Sequence, residues 1–116
     1  MNSGLRSGRT VQGEILDLMQ HRLERALRER ARYRYVLPVV LPEGDGYRIQ
    51  SPCCSRTVEP SGGLIDIALL LPQGQHRWSL HARDHVNQVW LERYAGQPLE
   101  HLLELLCLDS ERQFWP

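Results

Sequence analysis

The sequence contains no lysine: all fourteen of its basic residues are arginine, and fourteen acidic residues balance them. A net charge of zero argues against a dedicated nucleic-acid binder, whose footprint is strongly basic. Cysteine is scarce. Cys53, Cys54 and Cys107 are too few and too oddly spaced for a disulfide framework, and an odd count in a cytosolic chain reads as free thiols. No apolar run approaches the ~20 residues of a membrane span. The opening MNSGLRSGRT has no apolar stretch after its charges, so no secretory signal is expected. The expectation is a soluble, cytoplasmic protein that needs neither disulfide nor metal, since a chain of 116 residues buries roughly two-thirds of its unfolded surface.

Hydrophobic periodicity is plentiful. Residues 1–9 read as a disordered arm, and 10–116 as a single domain. Val11, Ile15, Met19, Leu23 and Leu27 recur every four residues, one face of an amphipathic helix over about 11–32. Its other faces are rich in arginine: residues 21–34 hold six Arg and two Glu, whereas 98–116 hold four acids and one Arg. Tyr33, Tyr35, Leu37, Val39 and Leu41 alternate at period two, as a strand does, and Pro38 assigns that strand to an edge or a bulge. The run PEGDG over 42–46 is a turn by composition. A hairpin that places Leu41 against Tyr47 and Val39 against Ile49 follows. Further strands are expected over 64–71, 76–84 and 88–94, and then Leu99, Leu102, Leu103 and Leu106 mark a helix over about 98–107. This order predicts an α+β fold, an antiparallel sheet of about five strands flanked by an N-terminal amphipathic helix and a short C-terminal one.

Chemistry is expected on the face that the helices leave open. With PQGQ (72–75) as the turn, Asp66 lies opposite His81. A turn at 84–87 adds Trp90 opposite His81 and Glu92 opposite Ser79. The candidate ligand or partner face is therefore Asp66, Arg77, His81, Arg83, Trp90 and Glu92. Arginines there can hold a carboxylate or phosphate, aromatics can stack on a planar group, and an Asp–His pair can orient a general base. A polar sheet face open to water explains the same residues. Cys53 and Cys54 beside Arg56 form a candidate thiol site, because a neighbouring cation favours thiolate. A zinc reading would draw on Cys53, Cys54, His81 and His85, but adjacent cysteines lack the spacer that zinc sites use, so no metal and no cofactor is assigned. No catalytic residue is assigned either.

The run GGLIDIALL (62–70), Trp78, RDH (83–85) with Trp90, the leucine helix, Asp109 and Phe114-Trp115 resemble small bacterial proteins grouped as a domain of unknown function. The resemblance covers the C-terminal half and implies no activity and no site residue. The expected function is a non-enzymatic binding or protein-interaction module that uses the polar sheet face, with a protein partner or a second copy of itself. The competing reading is a small enzyme or thiol-redox protein centred on Asp66/His81 or Cys53/Cys54.

Overall fold

The computed structural model describes residues 18–28, 38–52 and 63–115. A helix, α1, occupies residues 18–28. Five strands follow: β1 (Val39–Glu43), β2 (Gly46–Pro52), β3 (Leu64–Gly74), β4 (Arg77–Asp84) and β5 (Val89–Gln97), and then helix α2 (Leu99–Leu108). Each strand pairs antiparallel with the next, so the sheet order is β1-β2-β3-β4-β5, an α+β meander as the sequence predicts. β1, whose first neighbour is Pro38, is indeed an edge strand. The proposed arm at 1–9, the loop cysteines Cys53 and Cys54, Arg56, and the tyrosines Tyr33 and Tyr35 lie outside the described residues.

Both helices cover one face of the sheet. Leu23 and Leu27 of α1 and Leu99, Leu102, Leu103 and Leu106 of α2 join Val40, Tyr47, Ile49, Ile65, Ile67, Ala68, Leu70, Leu80 and Ala82 in one buried cluster. Each fully buried leucine or isoleucine contributes about 1.5–3 kcal/mol. Trp78 stacks on Tyr47 with ring centroids 6.5 Å apart. α2 starts at Pro98, whose carbonyl accepts from Leu102 N–H. It ends at Asp109, a left-handed residue whose N–H returns to the Leu105 carbonyl. The chain then folds back: Phe114 and Trp115 are 3% exposed, and Trp115 Nε1–H donates to the Leu106 carbonyl at 2.9 Å.

Three register expectations are corrected. The β1–β2 turn is the dipeptide Gly44-Asp45, which pairs Val40 with Ile49 and Leu41 with Arg48; the core residue of β1 is therefore Val40, not Val39 or Leu41. Pro72 stays within β3, and the chain turns at Gln75-His76, both at positive φ. A type I′ turn matches the twist of the flanking strands. His81 accordingly pairs with Leu69, not with Asp66. The third shift is even: a turn over 85–88 pairs Trp90 with Arg83 and Glu92 with His81, which changes partners but not faces.

The shift in β3 is odd and would have carried Asp66 into the core, because side chains alternate faces at period two. A bulge prevents it. Ile49 pairs with Ala68 and Gln50 with Asp66, so Ile67 is an extra residue and both Ile67 and Ala68 are buried. Beyond the bulge Ile65 returns to the core, and Asp66 returns to the open face.

Candidate functional site

The face away from the helices is built from alternate residues of β1 to β5. From β2 come Arg48 and Gln50, since Tyr47, Ile49 and Ser51 point into the core. β3 supplies Asp66, β4 supplies Ser79, His81 and Arg83, and β5 supplies Trp90 and Glu92. Arg77 also belongs to this face but stands at its far end, where its Nη1–H donates to the Gly96 carbonyl. Sequence reasoning missed Arg48 and Gln50, although the alternation in GYRIQSP carries the signal.

Asp66 is the hub. Its Oδ1 accepts from Gln50 Nε2 at 3.0 Å and from Arg48 Nη1 at 3.5 Å, and its Oδ2 lies 3.9 Å from Arg83 Nε. Arg48 Nε faces Glu43 at 3.4 Å, yet that buried nitrogen makes no directed hydrogen bond; the contact is an ion pair by distance alone. Arg83 lies over the indole of Trp90, its guanidinium carbon 5.1 Å from the ring centroid, close enough for a cation–π contact. Arg83 is thus held from below by the ring and at Nε by the carboxylate. Among the described residues its terminal nitrogens have no hydrogen-bond partner.

The histidines sit beside this hub with different neighbours. His81 Nε2 lies 2.9 Å from Ser79 Oγ, and that hydroxyl donates to the Leu71 carbonyl at 3.4 Å. A hydroxyl has one proton, so in this arrangement the imidazole donates through Nε2–H and leaves Nδ1 as acceptor. Burial lowers the His81 pKa below the usual histidine value, and Glu92 opposite partly restores it. His85, in the β4–β5 turn, is lowered by burial first and then by the Arg83 charge, against Asp66 and Asp84. Both imidazoles are therefore neutral at pH 7, and the positive charge of the face is arginine's.

The Ser79–His81 contact has the elements of a nucleophile and its base, but Ser79 is 2% exposed and closed to a substrate. The Asp66–His81 pair, which would have oriented a base, is replaced by Asp66–Arg83 and Glu92–His81. Among the described residues no group of three or more His, Cys, Asp or Glu side chains is placed to hold a metal ion. Cys53 and Cys54, the cysteines of the thiol reading, lie outside those residues; Cys107, which that reading did not use, donates through Sγ–H to the Ala26 carbonyl at 3.5 Å.

A family model described as a domain of unknown function, DUF3024, matches residues 12–116. The chain belongs to that family. The match reaches well beyond the C-terminal half in which the sequence resemblance lay, and it takes in α1, the sheet and α2 of the DUF3024 domain together. No curated protein and no solved structure matches the chain.

Proposed function

We propose that this DUF3024 chain is a non-enzymatic protein-interaction module that grips a carboxylate of a partner protein on its open sheet face, with Arg83 as the principal contact. One observation carries the reading: Arg83 is fixed by Trp90 and Asp66, and among the described residues the terminal nitrogens of its guanidinium have no hydrogen-bond partner. A guanidinium offers parallel N–H groups that match a carboxylate. Much of the side-chain entropy that binding would cost is already lost in the unbound protein. Neutral His81 and half-buried Trp90 beside it suit an acidic segment with an apolar or aromatic neighbour. A bacterial cytoplasm is the setting this proposal takes, and no described helix is long and apolar enough to cross a membrane.

Side-chain NMR of the full chain tests it. Titration with a glutamate-rich decapeptide should shift the Arg83 Nε–H and Trp90 Nε1–H resonances, and Arg83→Gln should weaken binding about tenfold or more, the scale of a charged hydrogen bond. Unmoved Arg83 and Trp90 resonances at millimolar peptide, or equal affinity in R83Q, would refute the assignment. A response to inorganic phosphate but not to the peptide would replace the protein carboxylate with a phosphate ligand.

A further inference from the structure

On the opposite side of the sheet the two helices form an outer layer whose outward side chains are exposed. Arg22 forms an ion pair with Glu100, and Cys107 reaches the Ala26 carbonyl. α1 and α2 therefore run side by side in the same sense. Between them lies an open groove of about 500 Å³, floored by Ala26, Leu103 and Cys107 and rimmed by Glu104 and Leu108. Leu108 is 60% exposed and Leu18 70%, large apolar side chains left in water at the two ends of this layer.

Charge is divided between the helices. Arg25 stands on the outward crest of α1 and Glu104 on that of α2, both exposed. Among the described residues neither has an oppositely charged partner. The contacts Arg22–Glu100 and Ala26–Cys107 bracket Arg25 on one helix and Glu104 on the other, so the two charges stand in the same stretch of the layer. A surface carrying two complementary halves in one stretch is what a two-fold axis requires, since an isologous contact sets residue i on j and j on i.

We propose that this face is a homodimer interface and that its occupant is a second copy of this chain. A two-fold axis along the groove lays α1 of one copy on α2 of the other. Arg25 then meets the other copy's Glu104 twice, once on each side, and Leu108 of both copies covers the apolar groove. The result is a four-helix layer between two sheets whose Arg83 faces point outward, so the carboxylate-binding faces remain open. A face of two short helices lies at the small end of specific interfaces, so dissociation is expected in the micromolar range.

Sedimentation equilibrium of the full chain between about 1 and 500 µM tests the pairing, since that span brackets a micromolar dissociation constant. The wild type should sediment as a dimer at the upper end. Arg25→Glu and Glu104→Arg should each raise the dissociation constant about tenfold or more, as like charges meet twice. An equimolar mixture of R25E and E104R should recover wild-type affinity, because both cross-pairs are attractive in the mixed dimer; a pairing within one chain would not recover on mixing. A monomeric wild type at 500 µM, unchanged affinity in either variant, or no recovery on mixing would each overturn the proposal. Both substitutions replace exposed side chains; should either unfold the chain, Leu108→Ser must weaken the dimer on the same scale or the proposal fails.

Discussion

Replacing Asp109 with alanine should cost about 3–5 kcal/mol, more than most single substitutions. Asp109 is 2% exposed, and its carboxylate accepts from three successive backbone amides: Gln113 N at 2.6 Å, Phe114 N at 3.2 Å and Trp115 N at 2.9 Å. Without the carboxylate the chain has two ways to respond. It can keep the tail docked, with three amides unsatisfied at about 1–3 kcal/mol each. It can instead release the tail and rehydrate them, losing the burial of Phe114 and Trp115, each comparable to a large-to-small core change of about 3–5 kcal/mol but partly offset by the chain entropy regained at about 1–2 kcal/mol per residue. The cheaper route sets the loss. Urea unfolding followed by tryptophan fluorescence and far-ultraviolet circular dichroism measures it. Asp109→Asn, which keeps one acceptor oxygen, should lose roughly half as much. Because the loss runs through the tail, Asp109→Ala should be strongly non-additive with Trp115→Ala. A loss under about 1 kcal/mol, or plain additivity with Trp115→Ala, would refute the clasp; the threshold stands well above the usual additivity error of about 0.5 kcal/mol.

Gly46→Ala should destabilise by about 3 kcal/mol or more, since a Cβ there would stand 2.0 Å from the Leu70 carbonyl oxygen and strand backbone cannot yield cheaply; the urea midpoint should fall with the m-value unchanged. Asp66→Ala should cost about 1–2 kcal/mol by the same measurement, because it leaves two half-buried arginines without their shared carboxylate. The histidines predict a pH dependence. Their folded pKa values are lowered, so the unfolded chain binds more protons. Their contribution is complete above about pH 6.5 and is lost as the pH falls below it. Between pH 7.5 and 5.5 the wild type should therefore lose more stability than a His81→Gln/His85→Gln variant, and parallel pH profiles would contradict this.

Elements were legible because turn signals and periodicity agree: the run LLELLCL can only be a helix face, and Gly44-Asp45 can only be a turn. Registers were harder. Pro72 and Gly74 made PQGQ look like the turn, but proline is tolerated within a strand where no ladder bond needs its nitrogen, and the chain turned at Gln75-His76 instead. Asp66 nevertheless stands on the predicted face, for a reason the sequence hides. The turn error shifted the pairing by an odd number, and the bulge at Ile67 reversed it. No local pattern in LIDIALL announces that bulge, because every residue but one is apolar. His81, Arg83, Trp90 and Glu92 share a face because their own error was even. Asp109 stood out in the resemblance, but its role as a clasp did not, because its partners are backbone amides, which carry no side-chain signature.

The extra residue in β3 also limits how this strand can change in length. Removing Ile67 would close the bulge and leave the pairing regular: Ala68 would still face Ile49 and Asp66 would still face Gln50, so each face would keep its residues at the cost of one buried side chain. One residue inserted between Asp66 and Ala68, with no second bulge to absorb it, would instead rotate the strand's N-terminal end by half a period. Asp66 would then turn into the buried cluster, and Ile65 would stand on the open face. β3 therefore works like a reading frame with one spare letter, which tolerates a loss at Ile67 but not a gain beside it.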